Sequence, residues 1–310
     1  MVTELEDRPD IAAVRTSLTQ IKDTPGTVVF RWFNYTFLTL LSLVTVYPFV
    51  NIIAKSFSSD GAIAAGKVNI WPVGFNLTTF QAVVSDSMFW LNYRNTVVYT
   101  VVGTMIAMAI TTTFAYALSR QNLRGRGPLI GLAVFTMFFS GGLIPNYLLV
   151  TQWLGMRNTI WAIVLPGALS VFNLLVMKAF FENFPAELEE AAALDGLSTY
   201  GIFFRVVLPL SKAVIATMIL FYAVSQWNSW FGAFLYLDDK RMFPVMMYLR
   251  NLIASVTGAQ EVTGSVDDAV QIGANIQAVT MLLTVLPIIC IYPFVQKYFV
   301  SGVMLGSVKG

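Results

Sequence analysis

Long apolar runs separated by short polar segments dominate the chain from about residue 32 onward. A helix needs about 20 predominantly apolar residues to cross the hydrocarbon core of a bilayer. Six segments reach this length, so the pattern predicts an all-α integral membrane protein with six transmembrane helices. The predicted spans are Trp32–Ile53, Asn95–Leu118, Leu129–Val150, Thr159–Phe181, Ala213–Leu237 and Ile276–Tyr298.

The polar start of the chain differs from a targeting sequence. Residues 1–31 contain five acidic residues and lack the apolar core of a cleavable signal peptide. They are predicted to be a cytoplasmic N-terminal segment. Residues 32–310 then form one transmembrane domain.

Two segments outside the spans are predicted to be external. Residues 238–274 are the longest polar interruption and are expected to form an external loop. Within this loop, Phe243–Leu252 has apolar residues at helical spacing, which suits a helix on the membrane surface or a contact with a partner protein. The apolar patch Trp71–Phe80 contains proline, glycine and asparagine, so it is predicted to be a loop or a surface helix.

Lysine and arginine are distributed unevenly between the two sides that the six spans define. With the N-terminus inside, twelve of these residues fall on the inner side and seven on the outer side. Cytoplasmic loops carry the excess of positive charge, so both termini are predicted to be cytoplasmic. The segment RQNLRGRG at residues 120–127 is the strongest single anchor, and the loop between spans four and five is then also cytoplasmic.

Several kinds of chemistry are missing from the sequence. Only 12% of the residues are charged, there is no histidine, and the one cysteine, Cys290, excludes an intrachain disulfide. Gly61–Val68 has the spacing of a phosphate loop, but Val68 replaces the Ser or Thr that holds magnesium, which favours a chance match. No Asp or Glu occurs in the six spans, which argues against an ion-driven carrier. We therefore expect no catalysis by this chain and no metal site, and energy for transport from another protein.

An acidic segment interrupts the apolar pattern between spans four and five. The sequence PAELEEAAALDGLSTYGIFFRVVLPL, residues 185–210, holds four acidic residues before its first basic one. Pro185 suits a first helical turn, Gly196 a left-handed helix end, and Ser198 or Thr199 the cap of a second helix. We therefore predict a helix–turn–helix over residues 185–208, which Pro209 ends before span five.

The first of these two helices is predicted to present a docking face. Leu188, Ala191, Ala192 and Asp195 have the spacing of one helical face, and the alanines allow close approach of a partner. The alternative is a solvated amphipathic helix with no partner. The apolar run within an acidic helix favours docking.

Here the sequence resembles the permeases of ATP-binding-cassette (ABC) importers. EAAALDGLSTYGIFFRVVLPL is similar to their EAA motif, although Ala213 stands where that pattern usually has a further proline. The residues that match in order and spacing are Glu190, Ala191, Ala192, Asp195, Gly196, Leu208 and Pro209. Four other segments resemble the carbohydrate-uptake branch, in particular permeases for complex oligosaccharides and, more distantly, a maltose permease: Phe138–Leu149, Leu165–Phe181, Trp227–Phe231 and Gly302–Gly310.

The resemblance implies a type I importer permease fold in a bacterial inner membrane. It implies a heterodimeric pore with a second permease subunit, two ABC ATPase copies that bind ATP and Mg, and an extracytoplasmic solute-binding protein. The substrate would be an oligosaccharide, and no nucleic acid is involved. Glu190 would form a salt bridge with a basic residue of the ATPase, and Gly196 would form the turn. The tail Gly302–Gly310 either contacts the ATPase or is a frayed terminus.

Amide and aromatic side chains are candidates for the solute path. Sugars are bound by aromatic faces and by amides that pair with hydroxyls. The candidates are Asn146, Tyr147, Gln152, Trp153, Asn173, Gln226, Trp227, Asn228 and Trp230. Each of them suits helix packing or interface anchoring equally well.

Other solutes and mechanisms remain open in the sequence. Five basic residues predicted on the outer side suit an acidic saccharide such as a uronate oligomer, or they are ordinary interface anchors: Arg94, Arg157, Lys240, Arg241 and Arg250. The alternatives to an oligosaccharide importer are an ABC permease for a non-sugar solute and an ion-driven secondary carrier.

Overall fold

The computed structural model describes residues 24–262, 275–291 and 293, and these residues are helical or irregular, with no strand among them. Residues 1–23, part of the predicted external loop (263–274) and the tail Gly302–Gly310 lie outside this part of the chain. Its α-helices are α1 (Pro25–Ser56), α2 (Asp60–Ala64), α3 (Thr78–Ser85), α4 (Ser87–Ser119), α5 (Arg126–Phe138), α6 (Leu143–Leu148), α7 (Trp161–Val164), α8 (Val171–Glu182), α9 (Ala186–Leu194), α10 (Thr199–Ile202), α11 (Leu208–Leu210), α12 (Lys212–Trp227), α13 (Phe231–Tyr236), α14 (Val245–Val262) and α15 (Asn275–Ile291).

Two predicted spans are long continuous helices. α1 and α4 contain spans one and two, and both are long and apolar enough to cross a membrane. Residues up to Asn51 form a unit of their own, in which large apolar side chains are exposed; Trp32, for example, is 71% exposed. Such an apolar surface is suited to contact with lipid rather than with water. The second unit begins at Ile52 and holds the remaining helices.

The next three predicted spans are broken, so their prediction as continuous helices was wrong. α5 and the helix Leu143–Trp153 meet at 110°, and residues 165–170 and 228–230 interrupt the fourth and fifth segments. Gly142 has a φ of +86° at the first break, which glycine adopts without strain. Pro166 lies in the second, where it lacks the N–H that a helix needs. Irregular backbone at membrane depth is tolerated where it is buried in protein or lines a cavity.

α4 is the central helix of the second unit. Its C-terminal half packs with α8 and α12 around fully buried Leu118, Leu174 and Met177. The buried Tyr222 hydroxyl lies 2.6 Å from the Thr111 hydroxyl and accepts a hydrogen bond from the Ser170 backbone N–H at 3.1 Å. These bonds join α4, α12 and the break before α8, so the broken segments are positioned against one continuous helix.

The N-terminal half of α4 carries a polar stripe that holds the start of the 238–274 segment. The Asn95 side chain donates to the Arg241 carbonyl at 2.6 Å, and the Tyr99 hydroxyl to the Met242 carbonyl at 2.7 Å. Val245, the first residue of α14, is fully buried. The apolar stripe at Phe243–Leu252 thus turns its buried residues toward α4, which neither of the two sequence interpretations anticipated.

Candidate functional site

The acidic segment forms a helix, a tight turn and a second helix. Gly196 has a φ of +82°, which confirms its predicted left-handed conformation. Its N–H donates to the Ala193 carbonyl at 3.0 Å, and the Leu197 N–H to the Ala192 carbonyl at 3.1 Å. These two bonds are the Schellman arrangement that ends an α-helix. The Ser198 hydroxyl then accepts from the Gly201 N–H at 3.3 Å and caps the second helix, as predicted.

The second helix continues past the predicted stop at Pro209. α10 runs through a π-helical turn, Phe203–Val207, into α11, and the chain bends by 82° only at Ser211. A proline inside an α-helix clashes with the carbonyl four residues before it, here that of Arg205. Arg205 lies in the π-helical turn, whose hydrogen bonds reach five residues instead of four. The wider turn lets Pro209 remain in the helix.

Adjacent glutamates of α9 have different surroundings. Glu189 pairs with Arg120, whose Nη2 donates to Glu189 Oε1 at 2.8 Å and whose guanidinium lies 4.1 Å from the centroid of the Tyr116 ring. The Glu189 side chain is 15% exposed. Glu190 is exposed and makes no ion pair with any residue in the described part of the chain. Glu189 therefore belongs to the fold, while Glu190 is available to a partner.

The arginines of the anchor segment 120–127 lie close to the helix–turn–helix. Besides the Arg120–Glu189 pair, Arg126 pairs with Glu182 at the end of α8, and Lys178 Nζ lies 2.8 Å from Glu182 Oε1. These contacts put the anchor segment 120–127 and the acidic segment at the same end of the second unit. Their location in the cytoplasm stays a prediction.

The predicted docking face of α9 is divided between two sides of the helix. Ala192 is buried in the core, whereas Leu188, Ala191 and Asp195 are exposed, because the helix packs its Ala192 side onto Leu197 and Phe203. Large apolar residues are also exposed here: Leu194 at the end of α9 is 90% exposed, and Tyr200 in α10 is 80% exposed. Of the other motif residues, Gly196 and Pro209 are exposed and Leu208 packs on the core.

Two cavities lie beside the broken helices. One has a volume of about 430 Å³, and its polar lining residues are Ser140, Asn146, Ser225, Gln226 and Ser229. The other has a volume of about 870 Å³, and its polar lining includes Thr100, Ser170, Asn173 and Gln226. Neither lining contains a charged residue. Such cavities suit a neutral polar ligand group better than a charged one.

Three predicted amides line these cavities with their hydrogen-bonding groups unused by the protein. Asn146 lines the smaller cavity, Asn173 the larger and Gln226 both. Their side chains make no hydrogen bond to another residue in the described ranges, although each offers two donors and an acceptor oxygen. Asn173 is buried, Gln226 is half-buried and Asn146 is exposed. A buried amide normally finds a partner, so Asn173 in particular is available to a ligand rich in hydroxyls.

The other predicted path residues mainly pack within the protein. Trp227 lines the larger cavity, but its indole N–H donates to the Thr284 carbonyl at 3.1 Å. Tyr147 stacks on Tyr236, and Asn228 donates to the Val224 carbonyl. Gln152 and Trp153 are in the π-helical turn Leu149–Trp153, outside both linings, and Trp230 stacks near Arg250. The structure thus brings three amides to the cavities and leaves most of the predicted aromatics in packing roles.

No model of a known protein family matches the chain. The chain is nevertheless 41% identical to Protein LplC of Bacillus subtilis, over 91% of this chain and 95% of that protein. It is 39% identical to the polygalacturonan/rhamnogalacturonan transport system permease protein YtcP of the same organism, over 91% and 99%. The chain belongs to the carbohydrate-importer permeases of the ABC transporters.

A solved structure supports the same family at the level of the fold. A chain in the crystal structure of a bacterial ABC transporter involved in the import of the acidic polysaccharide alginate matches this permease with a TM-score of 0.80. The two chains are 31% identical, and the match covers 90% of this permease and all of that chain. The permease is therefore an all-helical, multi-pass protein of the bacterial inner membrane, and its relatives are transport subunits rather than enzymes.

Sequence reasoning missed several small residues of the permease's cavities. Gly167, Ser225 and Ser229 line them, but small residues in apolar segments give no distinctive signal. A proline followed by glycine at 166–167 inside a predicted span was the available sign that backbone is exposed there.

An exposed cluster joins two outer segments of the permease. Arg157 Nε lies 2.8 Å from Asp238 Oδ2, and Asn158, with a φ of +55°, donates from Nδ2 to Asp238 Oδ2 at 2.9 Å. The Asp238 backbone N–H donates back to Asn158 Oδ1 at 2.6 Å. The Arg157 hydrogen bond, aided by the one from Asn158, lowers the pKa of Asp238 below its usual range.

This cluster predicts a pH dependence of stability. A carboxyl group whose pKa is lowered by folding stabilises the protein above its unfolded pKa, about 3.9, and loses that effect as pH falls through the folded value. Asp238→Asn should therefore melt slightly below wild type at pH 6, and the difference should vanish under more acidic conditions. Melting of both proteins in detergent from pH 7 to pH 2 checks this. Arg157→Gln should reduce the dependence of the melting temperature on pH. A difference in melting temperature between wild type and Asp238→Asn that persists at pH 2 would contradict the assignment.

Proposed function

We propose that the permease is one half of a heterodimeric pore in an ATP-driven oligosaccharide importer. Its partners are a second permease, two copies of an ABC ATPase and an extracytoplasmic solute-binding protein. ATP and Mg bind to the ATPase, and this chain couples to it through residues 185–208. A non-sugar solute and an ion-driven carrier are the alternatives that the experiment below separates.

A topology with six spans and both termini in the cytoplasm accommodates the helices. α1 and α4 each form one span, and each broken segment counts as one: α5 with α6, α7 with α8, and α12 with α13. α15 belongs to the sixth. The arginines at 120–126 and the acidic segment share one end of the molecule, and cytoplasmic ends are rich in basic residues.

The different surroundings of Glu189 and Glu190 carry the coupling proposal. The Glu189–Arg120 pair and the Schellman turn hold the helix–turn–helix rigidly against α4, while Glu190, Leu194 and Tyr200 face outward. An acidic group beside large apolar residues suits a cleft with a basic residue and an apolar floor. An exposed ion pair contributes about 0–1 kcal/mol, but a pair in a closed cleft contributes more.

Rigid attachment explains how the ATPase would act on the pore. When the two ATPase subunits bind ATP and close together, the helices docked on them move as well. The complex then favours the pore conformation that is compatible with the closed ATPase pair. The helix–turn–helix continues into α12 through Ser211, and α12 reaches both cavities at its other end. α12 therefore links the 82° bend that follows the docking surface to the solute path.

The cavities support a saccharide as the solute. Asn146, Asn173 and Gln226 offer amide groups without protein partners, and amides pair well with hydroxyls. YtcP is named for polygalacturonan and rhamnogalacturonan, and the solved transporter for alginate. Since the two linings lack charged residues, we assign recognition of any uronate carboxylates to other parts of the complex.

Reconstitution of the complete complex tests this function. Proteoliposomes holding both permeases and the ATPase would receive the binding protein and labelled oligogalacturonide, a neutral oligosaccharide or an amino acid. We expect saccharide uptake only with ATP and binding protein present. Uptake driven by a proton or sodium gradient without ATP would overturn the proposal, and ATP-driven uptake of the amino acid alone would replace the substrate class.

A further inference from the structure

We propose that Gln226 forms the partition between the two cavities and that Gly103 of α4 provides the recess that holds its side chain. The proposal rests on the proposed function in taking the cavities as the solute path. It assigns a positioning role to Gly103 and a specificity-determining role to Gln226.

The two cavities meet at three residues. Gly167, Ser225 and Gln226 line both of them. Gly167 has no side chain and that of Ser225 is short, so only Gln226 has a side chain long enough to project between the cavities. In the proposed path, a solute group that moves from one cavity to the other passes the Gln226 amide.

Gly103 is what allows Gln226 to occupy this place. A Cβ atom built at Gly103 would lie 2.9 Å from both Cδ and Nε2 of Gln226 and 3.2 Å from its Cγ. Such distances are shorter than carbon atoms tolerate, so the amide lies directly against the α4 backbone. Glycine is unfavourable in the middle of a helix, and this contact gives a reason for it here.

Unused hydroxyl groups flank the recess. Thr100 and Thr104 lie on the same side of α4 as Gly103, and neither Oγ1 has a hydrogen-bond partner among the described residues. The other threonine hydroxyls of α4 have partners: Thr96, Thr112 and Thr113 donate to the preceding turn, and Thr111 lies 2.6 Å from the Tyr222 hydroxyl. The recess thus combines buried hydroxyls with an unpaired amide, and these groups can exchange partners with the hydroxyls of a passing solute.

The position of Gln226 connects it to the docking end. It lies in the last turn of α12, directly before the break at residues 228–230, and α12 begins at the bend that follows the helix–turn–helix. Movement at that bend therefore shifts Gln226 relative to Gly103 of α4, because the Arg120–Glu189 pair holds the helix–turn–helix to α4 while α12 begins beyond the bend. The partition would then open and close with the ATPase cycle.

Alanine at two glycines tests the recess. Gly103→Ala should reduce ATP-driven uptake at least tenfold, because the new Cβ drives the Gln226 side chain into the cavities. Gly131→Ala is the matched control, because Gly131 is also inside a helix but a Cβ there would meet nothing within 4 Å. It should stay within about twofold of wild type. Equal ATP-driven uptake by correctly assembled Gly103→Ala and Gly131→Ala complexes would overturn the proposal.

A rescue variant separates this role from general packing damage. Gly103→Ala combined with Gln226→Ala should recover most of the uptake, since the clashing side chain is gone. Gln226→Ala alone should admit bulkier, branched saccharides relative to linear ones. A double variant no better than Gly103→Ala, or an unchanged preference in Gln226→Ala, would count against the partition.

A reversible cross-link tests the geometry without reference to any particular sugar. In a Cys290→Ser background, Gly103→Cys and Gln226→Cys should form a disulfide on mild oxidation, stop uptake, and regain it on reduction. No cross-link, or full uptake by the cross-linked complex, would refute the partition. If the double-cysteine complex cross-links as expected but the Cys290→Ser parent complex takes up no saccharide, the proposed substrate fails and the contact between Gly103 and Gln226 stands.

Discussion

Replacement of Gly196 by proline should abolish ATP-driven uptake by the assembled complex. Gly196 has a φ of +82°, whereas proline is restricted to about −65°. Proline also removes the N–H that donates to the Ala193 carbonyl. The turn between α9 and α10 cannot form in this variant, so the surface proposed to dock on the ATPase loses its shape. Uptake by proteoliposomes should fall to background, with ATP hydrolysis no longer stimulated by the loaded binding protein.

A graded substitution gives this prediction its control. Gly196→Ala keeps the N–H but places an L-residue in the left-handed region, at a cost of about 1–2 kcal/mol, so uptake should fall only in part. Gly66→Ala introduces similar strain, since Gly66 has a φ of +66° and open space around it, but far along the chain from the docking surface. It should transport nearly as well as wild type. Normal uptake by Gly196→Pro would show that residues 185–208 do not couple the permease to the ATPase.

Substitution of Glu190 should impair coupling to the ATPase, whereas substitution of Glu189 should lower the stability of the permease. Glu190→Lys should leave the melting temperature unchanged, because the side chain is exposed, but it should reduce uptake and ATPase binding at least tenfold. Removing one partner of a charge pair in a closed cleft costs roughly 2–5 kcal/mol of binding free energy. Glu189→Gln should instead lower stability by about 1–2 kcal/mol. That figure is reduced from the cost of breaking a fully buried pair, because the Arg120 side chain is 35% exposed.

Melting curves of the isolated permease and pull-down of the ATPase separate these two effects. A double-mutant cycle with Arg120→Gln should show that the stability losses of Arg120→Gln and Glu189→Gln are not additive, as expected for residues in contact. If Glu190→Lys destabilises the permease as much as Glu189→Gln does, Glu190 is a structural residue. If Glu190→Lys binds the ATPase as well as wild type does, the proposed role of Glu190 is wrong.

The local features of the acidic segment followed from residue types with strong backbone preferences. Glycine at position 196 and serine at 198 act within a few residues of themselves, so the turn and the cap were predictable. Pro209 was misjudged because its effect depends on the π-helical turn before it. Of the predicted docking face of α9, only Ala192 turned out to be buried, because helical spacing cannot tell which residues meet the core.

Length and hydropathy alone determined that this chain is a helical membrane protein, and the motif around Glu190 determined its family. The first property depends on the length of apolar segments and the second on a short local motif, and both can be read directly from the sequence. Only the tertiary structure decided that the third, fourth and fifth segments break, that Glu189 is tied to Arg120, and that Gln226 lies against Gly103. The two contacts depend on residues dozens of positions apart, which meet only when helices pack and leave no signature in either segment alone. The breaks have local signs such as Gly142 and Pro166, but hydropathy does not show that the chain bends there.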